Sequence, residues 1–329
     1  MTEWWSGLAV PFDLESDGKD PAEARIITAA VGFIKPGTET AMTTWMAKPE
    51  RPIPDEAIGV HGITNEFAQE HGRDRKEVVR EVVETLARLT ALPHGWAKVP
   101  VVAHNAIYDL TLLDREMRRL GIGRLTSGEG FSSEHGPLPQ MPVTIHLDRR
   151  MIGAFYVIDT MVLDKELDTF RPGPVGPDGE KLGGRNKLTR VAEHYGVPIS
   201  EDDAHAADAD ALAAARVAWV IAKRCRLAQI KTPEGHGRVM LMYGDRTYPG
   251  AAREIADKFA RAAGLSLAEL HDWQRRVALD QADGFREYCI ANPKYVAEKQ
   301  IDIDGIDGRW PLRPLTDRTK TTDITTTLV

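Results

Sequence analysis

The sequence has few cysteines, no long apolar run and no excess of basic residues. Its 329 residues include two cysteines, Cys225 and Cys289, which are far apart and lack a CxxC partner. This argues against a disulfide framework and a cysteine zinc site. No stretch approaches the roughly 20 apolar residues of a membrane-spanning helix, and the first residues do not resemble a signal peptide. We therefore expect a cytoplasmic protein with no membrane partner.

The charge balance is acidic, with 42 lysine and arginine residues against 49 aspartate and glutamate residues, a formal net charge of −7. This argues against a protein that coats duplex DNA through a large basic face. It is compatible with an enzyme that gathers carboxylates around metal ions, because local basic clusters can still guide a strand. The chain is long enough for one catalytic domain and an accessory segment.

Strands and helices alternate over the first two thirds of the chain, as in an α/β domain. The apolar spacing predicts strands at 8–15, 24–34, 41–47 and 98–104, helices at 76–92, 107–121, 187–195 and about 204–225, and a strand running into a helix over 153–167. Residues 122–150 are rich in Gly, Ser and Pro, and 168–186 are rich in Gly and Pro. We interpret both as insertions, the second as a mobile loop.

The last third has a different pattern. Helices are predicted at 250–264 and 266–290, the second opened by Ser266 with Glu269 three positions later. We expect three parts: a catalytic domain at 1–228, a helical extension of unknown role at 229–311 and a disordered tail at 312–329. Apolar stripes such as those of the extension usually pack back onto the catalytic domain, although they also permit recruitment of a partner.

Asp13 and Glu15 stand two residues apart at the end of the first predicted strand. The two-residue period of a strand points both side chains to one side of the sheet. Two carboxylates in an otherwise apolar strand repel each other unless a cation neutralises them, so the pair suggests a metal site. An isolated D-x-E is more often a solvent-exposed strand end, so the pair alone does not decide the question.

Further candidate groups lie where two helices begin. Asp109 follows the strand VPVVAH, where it either faces strand ends that collect ligands or complements the helix dipole. His205 and Asp210 stand five residues apart at the start of a long alanine-rich helix, so one can bind metal while the other reaches a water molecule. Asp208 is a second choice of ligand in the same turn.

Three segments, FDLES, HNAIYDLTLL and HAADADA, resemble the three motifs of the DnaQ-like DEDDh 3′→5′ exonucleases, the last with the H-x4-D spacing. IPDEAIGVHGIT and the pair VIDTMVLDKEL and NKLTRVAEHYGVPI also resemble family segments, so the resemblance covers roughly residues 8–225. It implies an α/β fold with an RNase H-like mixed five-stranded sheet flanked by helices, followed by a C-terminal helical extension. Ser16 stands where many members have threonine.

The resemblance also implies the chemistry. Members hydrolyse nucleic acid from the 3′ end with two divalent metal ions, Mg²⁺ with Mn²⁺ as a substitute, and release nucleoside 5′-monophosphates. Carried over to this sequence, Asp13 bridges both ions, Glu15 and Asp210 complete the site of the water-activating ion, and Asp109 helps to hold the second ion. His205 is the general base, a role suited to a pKa near neutrality.

The resemblance implies that the substrate is a single-stranded or frayed 3′ end, and we expect DNA rather than RNA. It makes Ser16, His61, Gly62 and Ile63 substrate contacts, although GVHGIT can also be a turn with a buried isoleucine. Asn105 either contacts the strand or orders the turn of the second motif, and we favour the second role.

Alternatives remain within and outside the nuclease class. An RNA-trimming exoribonuclease and a polymerase-associated proofreading subunit would carry the same motifs. A non-catalytic protein that binds nucleic-acid ends is disfavoured because all five catalytic positions hold competent residues. DNA replication or repair proteins are candidate partners of residues 229–311. Arg185, Lys187 and Arg190 could meet phosphates, but we expect a solvated face.

Overall fold

The computed structural model describes residues 4–91, 98–127, 132–133, 136–137, 141–173, 175–179, 183–199, 206–231, 251–313 and 315. The strands are β1 (Val10–Ser16), β2 (Ile26–Phe33), β3 (Ala41–Met46), β4 (Val101–Ala103), β5 (Gly123–Thr126), β6 (Ser132–Ser133), β7 (Gly136–Pro137), β8 (Val143–Leu147), β9 (Arg150–Phe155) and β10 (Val157–Asp159). The helices are α1 (Asp55–His61), α2 (Asn65–His71), α3 (Arg75–Ala91), α4 (Ala106–Arg119), α5 (Thr160–Leu167), α6 (Leu188–Tyr195), α7 (Ala207–Gln229), α8 (Ala251–Ala263), α9 (Leu267–Ala291) and α10 (Pro293–Lys299).

The main sheet has five strands in the order β10-β4-β1-β2-β3. β1, β2 and β3 form an antiparallel meander, whereas β4 is parallel to both β1 and β10. This is the RNase H-like mixed sheet expected from the sequence. The carboxyl ends of β1, β4 and β10 therefore meet at one edge, where ligands of α/β sheets usually bind.

The two faces of the main sheet are buried against different helices. Alternate residues of β1 and β4, such as Phe12 and Val101, belong to an apolar cluster with α3 and α4. On the opposite face, Val102 and Ile158 share a second cluster with α5, α6, α7 and α8. Because Asp13 lies between Phe12 and the buried Leu14, its side chain projects toward the α7 side.

The insertion at 122–150 is more ordered than its composition suggested. β5, β8 and β9 form an antiparallel three-stranded sheet, whose first two strands we did not predict from the sequence. Val143, Ile145 and Leu147 are buried in alternation along β8, the period of a half-buried strand. The predicted strand at the start of 153–167 is two strands, β9 and β10, which belong to different sheets.

The C-terminal helices pack onto the catalytic part of the chain. α8 lies against α7, and α9 lies along β10 and α5. The predicted cap of α9 is confirmed, because the Ser266 amide donates to Glu269 Oε2 (2.8 Å) and the Ser266 hydroxyl accepts from the Glu269 amide (3.3 Å). In the described part of the chain, no helix is both long and apolar enough to cross a membrane.

Order also extends beyond the predicted start of the tail. Leu312 is buried, and the Arg313 amide donates to the Thr111 hydroxyl at 3.0 Å. The expectation that disorder begins at residue 312 is therefore wrong for these two positions. The polar composition of the last residues gave no indication of their contacts with α4. Residues 316–329 lie outside the described residues.

Candidate active site

The first strand presents two carboxylates beside each other on one face. Asp13 pairs with Ala30 and Glu15 with Thr28 across the antiparallel β1–β2 ladder. Both side chains are half-buried, while Phe12 and Leu14 point into the core on the opposite face. The register shifts between Glu15 and Ser16, an irregularity of the kind that re-aims side chains at sheet edges.

Helix α7 brings a third carboxylate to this face. Ala30, the ladder partner of Asp13, packs against Ala207 and Ala211 in the first turns of α7. Three alanines allow the helix to approach the strand closely, and Asp210 lies between the two helical alanines in sequence. Asp208 is exposed to solvent, so Asp210 is the carboxylate of this turn that lies near β1.

Asp109 completes the group from the first turn of α4. Its side chain is only 3% exposed, and its Oδ1 accepts a hydrogen bond from the Leu14 amide at 3.2 Å. That bond fixes the α4 carboxylate directly beside β1, between the two carboxylates of the strand. Asp13, Glu15 and Asp109 accordingly line one cavity of about 530 Å³.

These carboxylates raise one another's pKa values. Burial raises the pKa of Asp13 well above its ordinary value, and the charges of Asp109, Glu15 and Asp210 raise it further. Burial, with the charge of Asp210, raises the pKa of Glu15 to about 8. Burial and the charge of Glu15 likewise raise the pKa of Asp109. Four acidic groups are thus gathered where their charges are poorly solvated, an arrangement that favours a bound cation.

Two cavities flank the carboxylates and share Leu14, Glu15, Asn105 and Tyr108. The far wall of the first is the segment 184–187, which precedes α6. The second, of about 490 Å³, lies between residues 16–19 and helix α1. The acidic cluster therefore lies between two adjoining hollows, at the carboxyl ends of β1 and β4.

Residues 10–218, more than half of the chain, match the model of the RNase T exonuclease family. The chain belongs to this exonuclease family. Residues 10–218 therefore form an exonuclease domain of the DnaQ-like 3′→5′ kind, and membership of the family implies dependence on a divalent metal. No curated protein sequence matches it.

Solved structures with a similar fold include exonucleases I. The chain is similar to exonuclease I from Methylocaldum szegediense, with 18% identity and a TM-score of 0.46 over 66% of this chain and 40% of that one. It is also similar to Escherichia coli exonuclease I in complex with a dT13 oligonucleotide, with 16% identity and a TM-score of 0.45 over 66% of this chain and 41% of that one. The chain thus spans less than half of the length of these proteins.

The donor set fits a hard divalent cation. Carboxylate oxygens are the ligands that Mg²⁺ and Mn²⁺ prefer, and the raised pKa values are those of groups that a cation would stabilise in the charged form. Among the described residues, no three His, Cys, Asp or Glu side chains stand as a ready-made ligand set. The fit therefore rests on the proximity of Asp13, Glu15, Asp109 and Asp210. Their raised pKa values reflect this proximity.

The predicted general base, His205, lies outside the described residues, just before Ala206, the N-cap of α7. The predicted substrate contacts are distributed around the second cavity. Ser16 and His61 line it, whereas Gly62 ends α1 with a left-handed backbone (φ 72°) and Ile63 packs against a small apolar cluster. In the described surroundings of both cavities, Gly62 and Ile63 are not lining residues.

Asn105 lies at the turn before Asp109, where we expected it to order the chain. It is the N-cap of α4 and adopts a left-handed backbone with φ 69°, which asparagine tolerates better than most residues. The backbone amide of Asn105 donates a hydrogen bond to Asp159 Oδ1 at 3.1 Å. Asn105 also lines both cavities, so a contact with substrate is compatible with this role.

His104 and Tyr108 are site residues that the sequence interpretation missed. His104 Nε2 donates to the Asn186 carbonyl (2.7 Å), and its Nδ1 lies 2.8 Å from the Thr160 hydroxyl. Burial lowers the pKa of His104, and its two contacts tie the 184–187 segment to the end of β4. Tyr108 donates to the Gly18 carbonyl. Both residues lie within HNAIYD, but only the aspartate of that motif suggested chemistry.

The basic residues before and within α6 do not form the uniformly solvated face that we expected. Arg185 and Lys187 line the first cavity, opposite the carboxylates. Arg185 donates to the Asp168 and Thr169 carbonyls, so it also fixes the loop. Arg190 is exposed and paired with Glu193 at 3.0 Å, as expected of a solvated charge.

Proposed function

We propose that the exonuclease shortens single-stranded or frayed DNA from its 3′ end and releases nucleoside 5′-monophosphates in a reaction that uses two divalent ions, Mg²⁺ with Mn²⁺ as a substitute. The observation that carries this proposal is the convergence of four carboxylates from β1, α4 and α7. No structural role accounts for placing Asp13, Glu15 and Asp109 together, because each raises the cost of ionising another.

Asp13 lies at the centre of the group, since the other three carboxylates all act on it. Together with Glu15, Asp109 and Asp210 it would hold the two ions, and by resemblance to the family it is the carboxylate proposed to serve both. When bound, the ions would polarise the phosphodiester, lower the pKa of the attacking water and neutralise the departing oxygen. The proposed role of His205 is to take the proton of that water as general base.

The substrate proposal rests on the surroundings of the carboxylates. The second cavity, between residues 16–19 and α1, would take the terminal nucleoside, with Ser16 and His61 as contacts. Lys187 lines the first cavity and is exposed. Its charge is therefore available to a phosphate of the nucleotides that precede the terminal one. An acidic protein with a small basic wall suits a strand end better than a length of duplex.

The test uses DNA and RNA strands of one sequence, labelled at the 5′ end, with Mg²⁺, Mn²⁺ or chelator. We expect a ladder of products that shortens from the 3′ end, is lost in chelator and forms faster on DNA. A ladder formed only on RNA would identify an exoribonuclease. Internal cleavage, or no cleavage of either strand by the metal-loaded protein, would contradict the proposal.

Recruitment of DNA replication or repair proteins through residues 229–311 stays a prediction. Helices α8 and α9 cover the catalytic part with one side, while Leu279, Phe285, Tyr288 and Ile290 of α9 remain exposed. A partner of this segment would have to contact that outer surface. Pull-down with replication proteins before and after substitution of Tyr288 by serine would test it.

A further inference from the structure

The C-terminal segment reaches the active site through one buried carboxylate, Asp159. This residue ends β10 and is fully buried, and it does not line the cavity beside the acidic cluster. Its Oδ2 accepts from the Ala106 amide at 2.9 Å, and its Oδ1 accepts from the Asn105 amide at 3.1 Å. Asp159 therefore holds the turn from which α4 carries Asp109, three residues further on.

That turn needs to be held. Asn105 has a left-handed backbone (φ 69°, ψ 45°), a conformation that costs a non-glycine residue free energy unless its surroundings impose it. The two amide bonds to Asp159 impose it, and the same carboxylate caps α5 by accepting from the Met161 amide at 2.9 Å. A small rotation of the Asp159 carboxylate would thus tilt the first turn of α4.

Two residues of the C-terminal segment fix Asp159 from the other side. Trp310 is 3% exposed, and its indole Nε1 donates to Asp159 Oδ2 at 3.1 Å. Gln274 of α9 accepts from the Asp159 amide through Oε1 (2.8 Å) and donates through Nε2 to the Val157 carbonyl (2.9 Å). Since β10 is an edge strand of the main sheet, the Gln274 amide takes the place of a neighbouring strand.

We infer that Trp310 is a positioning residue of the exonuclease: its hydrogen bond to Asp159 sets the orientation of the α4 turn and so the position of Asp109. This inference rests on the proposed function. It makes residues 267–313, a strap across the open sheet edge, a support of the active site. Loss of the bond should reduce turnover more than substrate binding. The reason is that Asp109 belongs to the acidic cluster and does not line the second cavity, the proposed site of the terminal nucleoside.

The test compares Trp310→Phe with Trp4→Phe, a closely matched control. Trp4 is 2% exposed, and its indole Nε1 donates to the Ala262 carbonyl at 3.0 Å. Each variant therefore loses one buried indole hydrogen bond between the C-terminal segment and the rest of the chain, but only Trp310→Phe loses a bond to Asp159. Gln274→Met serves as a second variant if Trp310→Phe folds poorly. The measurements are kcat and KM on labelled single-stranded DNA, Mn²⁺ affinity by calorimetry, and Tm.

We expect Trp310→Phe to lower kcat at least about 10-fold, the lower end of what lost outer partners of a metal site cost. KM should stay within about twofold of the wild type, Mn²⁺ binding should weaken, and Tm should fall no more than in Trp4→Phe. Gln274→Met should also lower kcat. Equal kcat losses in Trp310→Phe and Trp4→Phe, or an unchanged kcat in Trp310→Phe, would overturn the inference alone. An inactive wild type would overturn the proposed function together with the inference.

Discussion

Each carboxylate of the acidic cluster is unremarkable in the sequence, and its meaning comes from its neighbours. Asp13 and Glu15 share a strand, but Asp109 and Asp210 are about a hundred and two hundred residues away in the chain. Burial is the largest cause of the raised pKa values, and mutual repulsion follows. A group of charges that is both buried and repulsive lowers stability, so its presence indicates function.

Asp13→Asn tests that repulsion directly. In chelator at pH 8, we expect the variant to gain at least about 1 kcal/mol in free energy of unfolding, the equivalent of one pKa unit. The reason is that the native state no longer holds a charge that burial and three carboxylates oppose. Chemical denaturation measures the change, with the exposed Asp208→Asn as control. Mg²⁺ should stabilise the wild type more than the variant, and a destabilised Asp13→Asn would contradict the account.

His205→Ala separates the role of general base from that of ligand. We expect activity to fall by about 10²–10⁴-fold, the usual effect of losing an acid–base group. The affinity for Mn²⁺, measured by calorimetry, should stay that of the wild type because the four carboxylates remain. A variant that no longer binds Mn²⁺ would identify His205 as a ligand, and the base would have to be another group.

The sequence predicted the individual residues unevenly, for physical reasons. Asp13, Glu15, Asp109 and Asp210 could be identified because their spacing and order follow three known motifs. The H-x4-D spacing favoured Asp210 over Asp208, and the structure exposes Asp208 to solvent where α7 meets β2 through Ala30. Asp159 was not recognised, since its importance arises from amides of a turn more than fifty residues earlier.

At the scale of elements, hydrophobic period decided which predictions succeeded. The strands of the meander and the helices α3, α7, α8 and α9 were predicted to within a few residues, because each carries a clear apolar repeat. β5 and β8 were missed and only the end of β9 was predicted, since glycine, serine and proline are frequent in the segment before β8. The short helices α1, α2 and α10 bury few or no side chains, so their sequences show no strong repeat.

The contact between α9 and β10 includes His271, through which the free energy of unfolding depends on pH. Burial lowers the pKa of this histidine to about 4, and its Nδ1 accepts the Val157 amide at 3.0 Å. Arg275 and Asp272 are the charged neighbours, with opposing effects. Because the pKa is about 6.5 in the unfolded chain, the unfolded state takes up a proton first as pH falls. The contribution is present above pH 6.5 and is lost as pH falls toward 4.

The expected loss amounts to about 3 kcal/mol over that whole range. Free energies of unfolding at pH 7 and pH 5, for the wild type and for His271→Asn, measure it. Asparagine keeps an acceptor for the Val157 amide but does not titrate. The wild type should lose more stability than the variant between the two pH values, by about 2 kcal/mol. An equal loss in both proteins would show that His271 is not the group responsible.

At the scale of the whole molecule, the fold, the acidic cluster and the C-terminal strap form one structure. The family match covers residues 10–218, yet contacts from Gln274 and Trp310 reach the turn that carries Asp109. The sequence predicted a helical extension of unknown role whose apolar stripes pack back onto the catalytic domain, but it did not predict the contacts with β10, because no motif in residues 251–313 indicates them. A catalytic domain defined by the motifs alone would therefore omit Gln274 and Trp310, which contact Asp159 beside the active site.

The most direct test of the account compares degradation of 5′-labelled single-stranded DNA by the wild type, Asp210→Asn and Asp208→Asn in Mg²⁺. The two variants change the same residue type in the same helical turn, but only Asp210 acts on Asp13 and Glu15. We predict that Asp210→Asn abolishes shortening from the 3′ end while Asp208→Asn retains the wild-type rate. An active Asp210→Asn variant, or an inactive Asp208→Asn variant, would contradict the proposed metal site.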